Sequence, residues 1–274
     1  MTLHNHKEKI SELYDVLSPY FHSLWGAHIH HGYWIRGNET RETAQIQLIE
    51  RLVEAAGISS GSRILDVGCG MGASSIYLAK QYEAEATGIT ISPIQMEMAN
   101  RAAAGEHLSA KFILMDAEAM EFGELFDVVW SVESISHYQD KRRFFASAAA
   151  LLKPGGTLAI IDWFKNSNLS QRDHEKFIRP IDKGMLVEMQ TMEDYENLIT
   201  SNGLKVVRTE IMNGHCGKSW DIGLDIVKNK MLWKLAAKNG FAFVNFLKTF
   251  KAMRAGFASR NFILGLLVAK SSPS

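Results

Sequence analysis

Between Ile64 and Ala79 the chain ends an apolar run in an acid, Asp66, and follows it with glycines at 68, 70 and 72. Glycine reaches positive φ at little steric cost and lets a ligand approach the backbone where a side chain would stand. The stretch Ala73-Ser74-Ser75-Ile76-Tyr77-Leu78-Ala79 then reads as a helix. Strand, glycine turn and helix together make a nucleotide cradle at the carboxyl end of the first strand of an α/β sheet. Cys69 sits inside that turn. Gly68-x-Gly70-x-x-Ala73 also satisfies the loose dinucleotide pattern. A dinucleotide site, however, wants an acid about 20 residues on for the ribose, and the second strand ends in Thr90. A purely structural glycine turn is the plainer alternative.

Further landmarks follow in order. They are Gly88-Ile89-Thr90-Ile91-Ser92-Pro93-Ile94-Gln95, Met115-Asp116-Ala117-Glu118, the run from Phe126 through Ser131 and Glu133 to His137, and Leu151-Leu152-Lys153-Pro154-Gly155-Gly156. From about residue 10 to residue 270 this sequence resembles the class I S-adenosylmethionine-dependent methyltransferases. Within them it is most similar to small-molecule enzymes of the γ-tocopherol methyltransferase type. Sugar O-methyltransferases and cyclopropane fatty acid synthases look like more distant relatives. The resemblance implies S-adenosyl-L-methionine as cofactor. It also implies a Rossmann-like α/β fold: a seven-stranded, mostly parallel sheet with helices on both faces and a helical lid.

Carried onto this sequence, the resemblance assigns the cofactor cradle to Asp66, Gly68, Cys69, Gly70 and Gly72. Thr90, Ile91 and Gln95 match positions that flank ribose and adenine in the cyclopropane synthase branch, where an uncharged end of the second strand is normal. Asp116 resembles the acid that binds the adenine amino group, with Ala117 and Glu118 beside it, and Ser131 on the fourth strand completes the set. Asp116 could instead cap a helix over 117–122, and Gln95 could be a solvated first-turn residue. Tyr33 and Trp34 are expected to wall off the sulfonium, which an aromatic face attracts through cation–π contact. An aromatic anchor for the N-terminal helix is the alternative for Trp34.

His137 follows the fourth strand and Asp162 ends the fifth. These strands are neighbours in such a fold, so both side chains are expected at one carboxyl edge. A carboxylate-oriented imidazole can remove an acceptor proton near neutral pH, while alignment with the sulfonium methyl supplies much of the acceleration. Matching positions look catalytic in the sugar O-methyltransferases. The family's second His or Glu before this His is replaced here by Ser136. A structural His137–Asp162 hydrogen bond is the alternative. Glu133 is the third catalytic candidate, facing the methionine amino group or ending the strand. The cluster His28, His30 and His31 invites a metal reading, but no nearby Cys or acid supplies further ligands, so no metal is expected.

The elements that must hold these residues are legible in the periodicity. Helices are expected over 7–24, 40–56, 72–81, 92–104, 140–151 and 191–202, the last marked by the capping-box pattern Thr191-Met192-Glu193-Asp194. Strands are expected over 63–68, 84–90, 110–115, 126–131, 156–163, 204–211 and 262–269, the last antiparallel as the resemblance implies. Alternation of this kind makes a parallel sheet covered on both faces. The chain is read as one methyltransferase domain over 1–274. Residues 1–37 would cover cofactor and acceptor, and insertions at 166–190 and 214–259 would form the lid.

Composition fits an ordinary globular enzyme: 46% hydrophobic and 22% charged residues over 274, with zero net charge. Nothing in that balance favours nucleic acid. Cys69 and Cys216 are the only cysteines, and no signal or spanning segment is visible, so a cytoplasmic protein is expected. After Asp225 there is no acid, while nine Lys and Arg follow. Val227, Met231 and Leu235 share one helical face there, and Lys230, Lys234 and Lys238 another. A core-facing lid with a solvated basic face explains this. Peripheral contact with anionic lipid would suit a lipophilic acceptor. The favoured chemistry is C-methylation of a small hydrophobic phenol or quinol. N- or O-methylation and a cofactor-binding regulator without transfer activity are the alternatives. Oligomeric state stays open.

Overall fold

Short apolar strands alternate with helices, and each strand must bury two faces, so the helices divide between the two sides of one sheet. The computed structural model describes residues 3–106 and 108–273. The expected span of 1–274 and the cover starting at residue 1 therefore reach slightly outside the described residues. Two helices come first, α1 (Leu3–Trp25) and α2 (Arg41–Ala56). The core runs β1 (Arg63–Val67), α3 (Ala73–Tyr82), β2 (Glu85–Thr90), α4 (Pro93–Ala104), β3 (Ala110–Leu114), β4 (Phe126–Val132), α5 (Lys141–Ala150) and β5 (Leu152–Lys165). Three helices follow: α6 (Gln171–Asp173), α7 (Arg179–Met185) and α8 (Met192–Ser201). After β6 (Lys205–Ile211) come α9 (Asn213–Cys216), α10 (Lys218–Ile226), α11 (Lys230–Asn239), α12 (Phe241–Ala258) and the closing β7 (Phe262–Lys270).

The seven strands lie in the order β3-β2-β1-β4-β5-β7-β6. The first five are parallel, and β7 runs antiparallel to both β5 and β6. Alternation along β4 shows how the strands serve two cores. Val128 and Trp130 pack with Leu48, Ile49 and Leu52 of α2, while Val129 faces Phe144 and Phe145 of α5. The carboxyl ends of β1, β2, β4 and β5 consequently meet at one rim.

Expected and observed elements agree closely, and the capping box at Thr191 makes both of its reciprocal hydrogen bonds. Three local differences stand out. The strand expected at 156–163 spans 152–165, because its pairing with β7 continues to Lys165 opposite Phe262. The segment after Asp116 makes one short turn, Ala117–Ala119, not a helix to 122. On α11 the buried positions are Leu232 and Ala236, whereas Met231 is 47% exposed. Of the expected stripe, Val227 is buried and Leu235 packs partly buried against the core, but Met231 falls out of it because Asn229 starts a new helix, breaking the phase set by α10.

Candidate active site

The helix α1 lies across the rim and is fastened to the sheet by a row of polar side chains. Lys7 donates to Asp116 at 2.6 Å and bridges to Glu118 at 2.9 Å. Ser11 donates to the Ile91 carbonyl at 3.0 Å, and the Ser92 hydroxyl donates to Asp15. The Gln95 amide donates to Ser18 at 3.1 Å and accepts from Thr90 at 3.0 Å. Tyr14 bonds His137 Nε2 at 3.0 Å. These bonds fall on helix positions 7, 11, 14, 15 and 18, one face of α1.

Beneath this helix is a cavity lined by Asp66, Gly68, Cys69, Gly70, Thr90, Ile91, Gln95, Asp116, Ala117 and Glu118, all of them expected from the sequence. Gly70 has φ +55°, and a β-carbon built on it meets only the Gln95 amide at 4.0 Å, so the space above it is open. That is the shape a backbone cradle needs. The Asp66 carboxylate accepts from the Ser75 hydroxyl at 2.6 Å, and burial pushes its pKa up to about 7. Asp116 also caps the short turn after it, accepting from the Glu118 N–H at 2.9 Å, so capping and lining are combined in one side chain.

A second chamber adjoins the first and is mainly apolar. Phe21 and Trp25 of α1, Trp163, Trp220, and Phe246, Phe250 and Met253 of α12 wall it. Tyr14, Ile29, His30, Glu133 and His137 line both spaces and form the partition between them. His137 Nδ1 lies 3.1 Å from the Leu186 carbonyl, and burial lowers the imidazole pKa to about 4, so the ring is neutral at physiological pH. Burial likewise lowers His28 to about 3. Glu133 stands at φ +52° just past β4. Burial acts to raise its pKa, but the facing His31 and its hydrogen bonds win and hold it below the usual carboxylate range. Its oxygens take the His31 N–H, His31 Nδ1 and the Trp163 indole N–H, each at 2.8 Å.

Several expected site residues sit elsewhere. Asp162 does not meet His137. It is fully buried, accepts from the Tyr195 hydroxyl at 2.8 Å, and burial raises its pKa to about 7. The cause is strand alternation: β5 runs three residues beyond Asp162, turning this side chain toward α8 and presenting Trp163 to the chamber. Tyr33 stacks on His215 at 4.5 Å, and Trp34 packs under Gly32, since their backbone N–H groups bond Ala44 and His215. Neither lines the cavity; Tyr14, His28 and Ile29 do. Ser131 donates to the Val67 carbonyl inside the sheet at 3.0 Å. Gly72 is a packing residue, because a β-carbon there would stand 2.6 Å from Phe112 and 2.7 Å from Ala99.

The reading of the sequence missed His31, Tyr14, Lys7 and Trp163. His31 lies within the histidine cluster whose spacing invites a metal reading. Its ring turns toward Glu133, while His28 and His30 bond each other at 3.3 Å. Among the described residues no three His, Cys, Asp or Glu side chains form a metal-ligand group. The helical spacing of Lys7, Tyr14, Asp15 and Ser18, polar residues on an otherwise core-facing helix, was the available signal for α1.

Residues 1–250 match the family model described as mycolic acid cyclopropane synthetase. A probable tocopherol O-methyltransferase from Oryza sativa subsp. japonica is 34% identical over 246 residues, covering 83% of this chain and 67% of that protein. The 2-methyl-6-phytyl-1,4-hydroquinone methyltransferase of Synechocystis is 40% identical over 145 residues, covering 51% of this chain and 45% of the relative. A solved mycolic acid cyclopropane synthase complexed with SAH and CTAB superposes with a TM-score of 0.87 at 19% identity, covering 97% of this chain and 98% of that one. The open cradle over Gly70 and the carboxylate of Asp116 across the same cavity fit an adenosyl group with an amino-acid tail. The chain belongs to the mycolic acid cyclopropane synthetase family and is an S-adenosylmethionine-dependent methyltransferase.

Proposed function

We propose that the acceptor is a small hydrophobic phenol or quinol, and that the methyl goes to a ring carbon. The observation that carries this is the second chamber. Its walls are mainly aromatic and apolar, and its polar groups are Tyr14, His30, Glu133 and His137 of the partition, with His31 and Ser219 beside them. Such a site holds a flat apolar ring and orients it by one polar edge. The names of the tocopherol and hydroquinone methyltransferase relatives agree with that acceptor class. An amine acceptor carrying a carboxylate calls for a bidentate arginine. No arginine lines either space among the described residues, and Arg179 is tied to Glu175.

Bound S-adenosylmethionine supplies an electrophilic methyl group on a sulfonium sulfur. Gly70 leaves room for it, Asp66 and Asp116 are placed to receive hydrogen bonds from its polar groups, and α1 covers it from water. Neutral His137, with Nε2 on the Tyr14 hydroxyl, fixes that hydroxyl where an acceptor oxygen can share its hydrogen bond. His137 thus keeps a proposed catalytic place without Asp162. Trp163 and Trp220 hold the acceptor ring.

A lipophilic acceptor also accounts for the lid surface. Met231, Trp233 and Phe241 are exposed beside Lys230, Lys234 and Lys238, an arrangement that suits peripheral contact with anionic lipid headgroups. No described helix is long and apolar enough to cross a membrane. The acceptor class is tested by incubating the protein with methyl-labelled cofactor and matched phenols, quinols and amines, then following the label by mass spectrometry. Label in the phenols and quinols supports the reading, and label confined to amines overturns it.

A further inference from the structure

We propose that His31, oriented by Glu133, is the base that takes the hydroxyl proton of the acceptor; this rests on the phenolic acceptor proposed above. His31 lines the aromatic chamber and is 3% exposed. With a single proton on the ring, Glu133 at 2.8 Å holds it on Nδ1, which leaves the lone pair on Nε2. That Nε2 is buried and has no hydrogen-bond partner in the protein. A buried acceptor left unsatisfied is costly, and native structures keep few of them. The corresponding nitrogen of His137 is already taken by Tyr14. His31 is therefore the imidazole of the chamber wall with a nitrogen to spare.

The ring cannot swing to find another partner. Phe257 stacks on it with centroids 5.6 Å apart, and Trp220 meets its edge at 4.7 Å. Glu133 is itself locked, because Trp163 and the His31 backbone occupy it from two sides. Carboxylate and imidazole are thus positioned before any ligand arrives, and the pair spans from the chamber to the partition. Other titratable groups around this partition are His30, Tyr14 and His137.

The proton accounting is simple. The acceptor O–H bond breaks with its electron pair staying on oxygen, and the proton forms an N–H bond at Nε2 of His31. The imidazolium then faces the Glu133 carboxylate, which stabilises the charge. The ring carbon that takes the methyl then gives up its own C–H proton, which returns to the oxygen and restores the hydroxyl. The proton on His31 passes to water on product release, one proton for each methyl transferred.

The test uses 4-nitrophenol as a probe, without methyl donor, and reads the phenolate absorbance of the bound molecule. At a pH where the free probe is mostly neutral, wild-type protein is expected to bind it as phenolate. His31→Gln is expected to bind it as the neutral phenol, with unchanged cofactor affinity and a circular dichroism spectrum like wild type. Its turnover on a phenolic acceptor should fall by roughly 10²–10⁴, the range of general-base loss, with KM nearly unchanged. Glu133→Gln should lose the phenolate signal as well. Wild-type protein that binds the probe as neutral phenol while methylating phenols overturns this inference and leaves the acceptor class standing. That measurement needs no variant to fold. A folded His31→Gln with the phenolate signal and turnover of wild type overturns it too. Protein that methylates no phenol at all removes the acceptor class, and the inference with it.

Discussion

Replacing Gly70 with valine separates the cradle from the fold. At φ +55° a side-chain-bearing residue is strained, by roughly 1–3 kcal/mol. In a chain of this size each kcal/mol shifts Tm by roughly 2–4 °C, so a fall of about 2–12 °C is expected and the protein remains folded. A β-carbon there meets only the Gln95 amide, at 4.0 Å, so the side chain grows from the cradle surface toward the cavity. The added volume therefore enters the cofactor's space. Overpacking a closed site costs about 1–3 kcal/mol, and losing a backbone approach adds about 1 kcal/mol. Together these weaken binding by about 2–4 kcal/mol, roughly 30- to 1,000-fold. The assay is calorimetric titration with S-adenosylmethionine alongside a thermal melt. Gly72→Ala is the control: its β-carbon would strike Phe112 and Ala99, so it should lose stability while its folded fraction still binds. A folded Gly70→Val with wild-type affinity refutes the placement, as does a Gly72→Ala that loses affinity with no loss of stability.

Asp162 keeps a proton to about pH 7 in the fold, against an ordinary carboxyl value of 3.8. The folded state thus binds more protons than the unfolded one in that window, and this group's contribution is lost as pH rises from about 4 to 7. Asp162→Asn should therefore flatten part of the fall in stability over that range and raise stability at pH 8, by an amount on the order of 1–4 kcal/mol. Asp66 contributes in the same direction and remains. Urea melts at several pH values check this, and a variant destabilised equally at all pH values would contradict it. Because Tyr14 and His137 share one hydrogen bond, Tyr14→Phe and His137→Gln should lower turnover non-additively; steady-state kinetics of the double variant decide, and strict additivity would break the link. Changing Lys230, Lys234 and Lys238 together to Gln should weaken binding to anionic vesicles by about 1 kcal/mol per charge, with wild-type binding falling as salt rises. Absence of vesicle association by wild type even at low salt would leave these lysines as a solvated face.

The strands and the glycine turn after the first of them were legible because their signals are local. Asp66 to Gly72 is one strand end and one turn, and the phase of each strand is carried by its own residues. Asp116 lines the same cavity from the end of β3, a position its own strand also sets. What failed needed information from a partner element. Whether Asp162 or Trp163 faces the chamber depends on how far β5 continues beyond them, which pairing with β7 decides. Tyr33 and Trp34 stand beside His28–His31 in sequence, yet their N–H groups are claimed by Ala44 and His215, the latter 181 residues away from Trp34. Glu133 ranked low because its partner, His31, lies 102 residues earlier. The phase of α11 was misread because a helix break at Asn229 resets the face that packs inward.

The central claim is methyl transfer to a ring carbon of a phenol or quinol held in the aromatic chamber. Its most direct test is turnover of a methyl-substituted hydroquinone with carbon-13 methyl-labelled S-adenosylmethionine, with the product's labelled carbon located by NMR. We expect the label as an aryl methyl bonded to ring carbon, with the hydroxyl groups intact. Label found only as an aryl ether, or no label in any phenolic product, would contradict it.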